Sequence, residues 1–175
     1  MQNETQKDYL TPSFTYAEAD AVKTLWEDSC TFNSVAGCDL EITPCDFLNQ
    51  FKLIEEEFGE LCEGLTLDDP IEQLDGAIDV LVTVFGYLQK LRNRYGINIS
   101  EAMDLIGKNN LSKFPTSEEI AKQTVKMYAD KGIPTYYTYS KTYDVFVIRD
   151  RTTHKIKKPI NFKAVELSGV FPTYQ

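Results

Sequence analysis

Apolar residues return at alternating spacings of four and three between residues 44 and 65, the spacing of one face of an α-helix. They are Phe47, Phe51, Ile54, Phe58, Leu61 and Leu65. A second stretch, VLVTVFGYL at 80–88, is apolar on nearly every side. The two patterns predict a helix with one packing seam, followed by a helix that is largely buried.

The predicted helix starts are marked by capping residues that stand three positions before an acid. These pairs are Thr15 with Glu18, Thr43 with Asp46, Asp69 with Glu72, and Thr116 with Glu119. Two of the starts add a proline at the first helical position, and Gly96 and Gly132 fit C-terminal caps. We expect helices at about 16–32, 44–65, 70–95, 100–108 and 117–131.

The composition of the chain changes after Pro134, where β-branched and aromatic residues dominate. TYYTY at 135–139 and YDVFVIRD at 143–150 flank a polar stretch, which predicts a β-hairpin. The expected fold is mainly α: a helical bundle with a small C-terminal β-hairpin appendage. We expect one domain, with the core in 1–115 and the last helix and hairpin extending it over 116–175.

Charge is distributed unevenly along this chain, whose net charge is −9. Residues 1–80 carry 19 acids and only three lysines, whereas the remainder is net positive. Without a large basic field we expect no nucleic-acid partner. No apolar run approaches the ~20 residues of a membrane span. The polar start and the four cysteines without metal-ligand spacing favour an intracellular, cytoplasmic protein with reduced thiols.

The acids of the second and third predicted helices fall into two compact sectors. At ~100° per residue, Glu56, Glu57 and Glu60 share one side of the apolar seam, and Glu55 lies on the opposite flank. In the third helix, Glu72, Asp75 and Asp79 lie within roughly 60° of one another. Because the connection between the helices is short, we expect antiparallel neighbours whose acidic sectors can face each other.

So many carboxylates beside a core would repel one another unless a cation lay among them. Mg²⁺ fits best, with Mn²⁺ as a possible substitute, because hard cations prefer oxygen ligands. Simpler explanations exist for most of these acids: a glutamate run is usually a solvated helix face, Glu72 fits a capping box, and Asp75 can complement the helix N-terminus. Asp79, two turns into the helix, fits neither terminal role, which favours a site.

These residues resemble a known family. EEFGE (56–60) followed by EQLD (72–75) is similar to the EExxE…ExxD pattern of the all-α nucleoside triphosphate pyrophosphohydrolases, such as MazG and the dimeric dUTPases. EQLDGAIDVLVTVFGYL, NNLSKF (109–114) and HKIKKPINFKAVEL (154–167) resemble the MazG-like, phosphoribosyl-ATP-pyrophosphohydrolase-like subgroup common in phages. His154 departs from that pattern, since it stands where the subgroup often has glycine.

The resemblance implies a Mg²⁺-dependent hydrolase that converts nucleoside triphosphates to monophosphates and pyrophosphate. Glu56 or Glu57 would orient the attacking water. The implied metal ligands are Glu57, Glu60, Glu72, Asp75 and Asp79, with either Asp75 or Asp79 as the main aspartate ligand. Asn110, Lys113, Lys157 and Lys158 would bind the substrate phosphates. A homodimer or homotetramer is implied, because relatives complete the bundle between subunits.

Two other functions remain open from the sequence. The first is a non-catalytic acidic protein that binds metal or a partner. The second is phosphoribosyl-ATP pyrophosphohydrolase, which shares the acidic motif but fits the C-terminal region less well.

Overall fold

A computed structural model describes residues 16–38 and 40–172, and its described part is mainly helical, as expected. The helices are α1 (Tyr16–Val35), α2 (Pro44–Leu67), α3 (Pro70–Tyr95), α4 (Ile99–Leu111) and α5 (Glu118–Asp130). Strands β1 (Thr135–Ser140) and β2 (Val145–Asp150) form the predicted antiparallel hairpin, and a 3₁₀ turn follows at Ser168–Val170. None of the described helices combines the length and apolarity needed to cross a membrane.

The helix caps agree in part with those predicted. At the start of α2, the Asp46 carboxylate accepts hydrogen bonds from the N–H and the hydroxyl of Thr43 (2.7 and 2.6 Å). At the start of α3, Asp69 accepts from two backbone N–H groups. At α5 the N-cap residue is Ser117 instead of Thr116, so the helix begins one residue later. The predicted cap at Thr15 lies outside the described residues.

The chain divides into two compact units, one built from residues up to Ile99 together with the segment from Phe171, the other from Ser100–Val170. The functional division predicted at residue 115 stays a prediction. In the first unit, α2 and α3 form an antiparallel hairpin, because only Asp68 and Asp69 separate them. Asp68 adopts a left-handed backbone (φ +54°), which reverses the chain within this short connection.

Glycines let α2 and α3 approach very closely. A Cβ placed on Gly76 would lie 2.8 Å from the Leu61 backbone nitrogen, and one on Gly64 would lie 2.8 Å from the Gln73 nitrogen. Further along, Gly86 faces the side-chain amide of Gln50 at the same distance. At Gly64 and Gly76, where the opposing atoms belong to the backbone, an ordinary side chain would hold the two helices apart. The glycines therefore fix both the spacing and the register of the hairpin.

The apolar seam predicted for α2 is split. Phe47, Ile54 and Leu61 are half-buried, and Leu61 packs against Gly76 of α3. The intervening residues are largely exposed: Phe51 by 47%, Phe58 by 56% and Leu65 by 60%. Within the single chain the predicted seam is therefore only partly packed. Because α3 contacts only one edge of a broad apolar face, alternate residues of that face remain uncovered.

Helix α1 packs on the C-terminal half of α3. Trp26 meets Phe85 edge to face at 5.1 Å, and the Asn33 amide donates to the fully buried Gln89 side chain (2.8 Å). Gln89 in turn donates to the Cys30 carbonyl at 3.3 Å. Because an unpaired amide in a core is costly, this polar chain ties α1 to one register on α3.

The second unit is organised around the contact between α5 and the hairpin. Ile148 on β2 and Ala121 and Thr124 on α5 are fully buried. The Thr124 hydroxyl donates to the Ile120 carbonyl (2.6 Å) and accepts from the Ile160 N–H (3.0 Å). One face of the hairpin is thereby packed on a helix, and the chain after β2 is anchored to the same helix.

The close approach predicts opposite effects of alanine at two helical glycines. Gly76→Ala should lower the free energy of unfolding by about 1–3 kcal/mol, because the new methyl would collide with the α2 backbone. Gly59→Ala is the matched control: Gly59 has open space around its Cβ position. It should stabilise the protein by about 0.5–1 kcal/mol through lower chain entropy. Urea unfolding of both variants would test this, and equal effects would contradict the packing described.

Candidate functional site

Glu57 is the centre of the acidic cluster on the α2–α3 hairpin. Its side chain is half-buried, and burial raises its pKa above the ordinary value. Four further carboxylates raise the pKa as well, in the order Asp79, Glu60, Glu56 and Asp75. Because each of these charges makes ionisation of Glu57 harder, all four carboxylates lie within electrostatic range of Glu57.

The hairpin register explains why these acids meet. On one side of Glu57, Leu61 contacts Gly76 of α3. On the other side, Gln50 contacts Thr83 and Gly86. Glu57 therefore lies between two points where α2 and α3 touch. Asp79 is half-buried, in agreement with the prediction that it is partly withdrawn from water. Glu56, Glu60 and Asp75 remain exposed. The cluster thus has a half-buried centre and an open, solvated rim.

Glu72 lies at the start of α3, where its backbone and Cβ face Gly64 of α2. A capping-box glutamate would accept from the Asp69 N–H, but that N–H donates to the Gly64 carbonyl at 3.0 Å. The Asp69 carboxylate itself caps the N–H groups of Ile71 and Glu72 (2.9 and 3.3 Å). The capping role considered for the Glu72 carboxylate is therefore filled by other groups.

No basic side chain neutralises this cluster within the part of the chain that the structure describes. The ion pairs found there join Lys23 with Glu27, Lys108 with Asp104, Lys122 with Glu118, and Lys157 with Asp150. None of them involves Glu56, Glu57, Glu60, Glu72, Asp75 or Asp79. Among the described residues, no ion pair offsets the negative charge on this flank of the hairpin.

The carboxylates do not form a closed ligand set as they stand. Over residues 16–38 and 40–172, no three His, Cys, Asp or Glu side chains lie close enough together to hold a metal ion. The donor chemistry nevertheless fits a hard divalent cation, since the groups are carboxylate oxygens and carry no competing ion pair. Binding would require the exposed rim residues to turn toward Glu57 and Asp79. Their role as ligands stays a prediction.

The residues predicted to bind phosphate lie in the second unit. Lys113 donates from Nζ to the side-chain oxygen of Asn110 at 2.7 Å, so two of the four predicted residues form one pair. Asn110 lies in the last turn of α4 and Lys113 follows the helix, where the Phe114 N–H donates to the Leu111 carbonyl. The pair presents an ammonium and an amide side by side, a combination that suits phosphate oxygens.

Lys157 and Lys158, the other two, have different surroundings. Lys157 pairs with the buried Asp150 carboxylate at 2.9 Å. That hydrogen bond, together with the N–H groups of Thr153 and Thr152, holds the pKa of Asp150 far below its usual range. Lys158 is exposed, and its Nζ lies 4.8 Å from the centre of the Phe162 ring. Lys157 is therefore held by the fold, whereas Lys158 faces solvent.

Several residues that shape the site were missed in the sequence. Gln50 is buried within α2, and its amide donates to the Thr83 carbonyl at 2.9 Å. Gly64 and Gly76 set the closeness of the helices, and Asp150 fixes Lys157. The available signal was positional: helical spacing puts Gln50, Glu57 and Gly64 in one row along α2, which is the row that meets α3.

Comparison of the chain with models of known protein families, with curated proteins and with solved structures finds no match. The geometry and the sequence pattern are therefore the basis for any function assigned to this site.

The raised pKa of Glu57 predicts a pH-dependent stability. A carboxyl with a raised pKa binds its proton more tightly in the folded state, so ionisation destabilises the fold as pH rises above the ordinary value of 4.5. Glu57→Gln should therefore increase the free energy of unfolding at pH 7 by about 0.5 kcal/mol. The gain should vanish below the ordinary glutamate pKa, where both states are protonated.

Denaturant unfolding at several pH values would measure this, with Glu55→Gln as the isosteric control on the opposite flank. A stability gain of the same size for both variants, or one that persists at low pH, would show that the acids near Glu57 do not interact with it.

Proposed function

We propose that this protein is a Mg²⁺-dependent nucleoside triphosphate pyrophosphohydrolase of the MazG-like, all-α type. It would hydrolyse ribo- or deoxyribonucleoside triphosphates to monophosphates and pyrophosphate. The observation that carries the proposal is the crowding of Asp79, Glu60, Glu56 and Asp75 around the half-buried Glu57, without a basic partner among the described residues. Such an arrangement costs stability, and that cost is offset when cations bind.

The carboxylates of Glu57, Glu60, Glu72, Asp75 and Asp79 would hold the ion. Bound Mg²⁺ supplies charge neutralisation of the triphosphate and Lewis-acid activation of the phosphorus centre. The glycine contacts support this assignment, because they hold the two carboxylate-bearing helices at a fixed separation. Preorganisation of that kind limits what side chains must reorder when an ion binds.

We assign Glu57 to take a proton from the attacking water, because it lies at the centre of the cluster with four carboxylates in electrostatic range. Bound Mg²⁺ would offset the neighbouring charges that raise its pKa, so the raised pKa belongs to the ion-free protein. Glu56, exposed on the same flank, would orient the water beside it. The chain's single histidine, His154, lies outside this cluster on the segment after β2, so carboxylates would carry the proton transfer.

The resemblance implies that cationic groups of the second unit bind the phosphates. Lys113 and Asn110, already hydrogen-bonded to each other, would act together, and exposed Lys158 would add charge. Lys157 would have to leave the Asp150 carboxylate to bind a phosphate. We therefore assign Lys157 a structural role, which is to anchor the segment that carries Lys158. This revises the equal roles that the resemblance implied for the two lysines.

The backbone at His154 supports the resemblance. His154 has a φ of +57°, a left-handed conformation that glycine adopts readily and other residues adopt rarely. The subgroup often has glycine at this position of its closing motif. The local geometry that a glycine would favour is therefore present here in spite of the substitution.

An exposed apolar surface supports the oligomer that the resemblance implied. Phe51, Phe58 and Leu65 on α2, with Leu74 and Ile78 on α3, are all more than 40% exposed. Phe51, Phe58 and Leu65 recur every seven residues and so share one face of α2, and an exposed apolar face of this kind is typical of protein–protein contacts. We propose that a second copy covers this surface, which would complete the bundle as in the dimeric pyrophosphohydrolases.

One observation favours the non-catalytic alternative. In the described residues no three acidic, histidine or cysteine side chains stand close enough to form a ligand set. An acidic interaction protein would need no such set. The two functions differ in turnover, because only the enzyme releases pyrophosphate. Phosphoribosyl-ATP is included among the test substrates, so the same measurement also tests the alternative of a phosphoribosyl-ATP pyrophosphohydrolase.

Glu60→Gln should abolish turnover, because it removes a ligand from the cluster without changing side-chain shape. We expect pyrophosphate release to fall by about 100-fold or more in the presence of Mg²⁺. Glu55→Gln, an identical change on the opposite flank, should alter the rate by no more than about twofold. The measurement is pyrophosphate release from a panel of canonical and modified triphosphates and phosphoribosyl-ATP. Silence of the unmodified protein across the whole panel would reject the enzyme.

Phe58→Asp should dissociate the proposed oligomer, because a charge cannot be buried unpaired in an apolar interface. Val35→Asp is the control, since Val35 is 84% exposed at the end of α1 and lies off the α2–α3 surface. Light scattering would give the mass of each variant. A monomeric unmodified protein, or equal masses for it and the Phe58 variant, would contradict the proposed interface.

A further inference from the structure

The hairpin of the second unit has one face that is not packed on α5. Side chains alternate along a strand, so Ile148 and Asp150 point to the buried side while Val145, Val147 and Arg149 share the other. Ile148 is fully buried and Asp150 is nearly so, whereas the other three are half-buried. The second face of β2 therefore forms the floor of a separate feature, which we term the hairpin cleft.

The hairpin cleft is a concave space of about 660 Å³. Val145, Val147 and Arg149 form its floor, Phe114 comes from the segment after α4, and Ile156 comes from the chain that returns beside Arg149. Its volume lies within the ~300–1,000 Å³ typical of small-molecule sites, and apolar walls with few polar groups are also typical. All of these residues belong to the second unit, and none of them is a member of the acidic cluster.

Arg149 is the charged group of the cleft and lacks an anionic partner among the described residues. Its guanidinium donates one hydrogen bond, to the His154 carbonyl at 3.2 Å. The nearby carboxylates are engaged elsewhere: Asp150 pairs with Lys157 on the opposite face, and Asp144 accepts from the Tyr139 hydroxyl at 2.6 Å. A guanidinium has five N–H donors, so most of its hydrogen-bonding capacity is directed to solvent or to a ligand.

The charge of the surroundings has the same sign. Residues 100–170 carry 12 lysines and arginines against eight acids. A half-buried cation in an apolar cleft is costly unless an anion meets it, and guanidinium binds carboxylate or phosphate through two parallel hydrogen bonds. The floor and walls, in turn, suit a flat or compact apolar group.

We propose that the hairpin cleft binds a small molecule with an apolar body and a single anionic group, which Arg149 holds at one end. The apolar body packs on Val145, Val147 and Ile156, and Phe114 closes the side. Carboxylates and phosphate monoesters share this chemistry. The site is independent of the proposed hydrolase activity, because none of its residues belongs to the acidic cluster or to the phosphate-binding set.

The test uses the full-length protein with methyl-labelled valine and isoleucine, titrated with 2-naphthoate, 2-naphthyl phosphate and neutral 2-naphthol. We expect both anions to shift the methyl signals of Val145, Val147 and Ile156 and to bind at least tenfold more tightly than the alcohol. The stronger of the two anions identifies the preferred head group. Equal affinity for the alcohol, shifts located elsewhere, or no binding by any probe would overturn the proposal.

Variants separate the charge from the cavity. Arg149→Met should weaken the anions at least tenfold and leave the alcohol unchanged. Arg151→Met is the matched control, because Arg151 is exposed and its guanidinium lies over the Tyr136 ring at 5.4 Å. Val147→Trp should fill the cleft and abolish all binding with an unchanged circular dichroism spectrum. Full anion affinity in the Arg149 variant would refute the proposal. A change of oligomeric mass in the Val147 variant would also refute it, because the cleft would then be an interface between subunits.

Discussion

The contact between α2 and α3 through Gly64, Gly76 and Gly86 is the constraint on which the candidate site depends. Each glycine faces a backbone or amide atom of the opposite helix that would lie about 2.8 Å from a Cβ. Helices that approach this closely have little freedom to slide or rotate. Because the register is fixed, Glu57 and Asp79 are held on the same flank, and the backbone positions of the rim acids beside them are set, although their side chains stay free to turn.

The same contact divides the hairpin into two chemically different flanks. On one flank, carboxylates raise the pKa of Glu57 and repel one another. On the other, Phe51, Phe58 and Leu65 expose apolar surface. Neither flank favours the isolated chain: cations would stabilise the first, and burial against a partner would stabilise the second. A metal-loaded oligomer would satisfy both, and this is why we attribute the function to that state.

Much of the fold was predictable because its signals are local. Proline, capping acids and glycine mark the helix ends within a few residues, and alternation marks the hairpin. The split seam was not predictable, since spacings of three and four show which residues share a face but not how much of that face a neighbour covers. Helical angles set Glu55 apart from Glu56, Glu57 and Glu60, and Glu55 is not among the carboxylates named above as raising the pKa of Glu57.

What escaped prediction depends on partners across the fold. In the sequence, Gln50 is an ordinary polar residue, but in the fold its amide donates to the Thr83 carbonyl. Lys157 likewise gives no sign in the sequence of its ion pair with Asp150. Such pairings arise from tertiary register, which one sequence does not reveal. The roles of the individual carboxylates are still harder to predict from the sequence, because they would depend on a bound ion as well as on the fold.

The two-residue connection between α2 and α3 has a consequence for how the site arises. The six candidate carboxylates lie within residues 56–79; they are Glu56, Glu57, Glu60, Glu72, Asp75 and Asp79. Within that range only Asp68 and Asp69 are not helical. Contacts so near in sequence require little loop closure and form quickly. During synthesis on the ribosome, this hairpin can fold before the β-strands emerge, so the acidic flank is available to ions from an early stage of the protein's life.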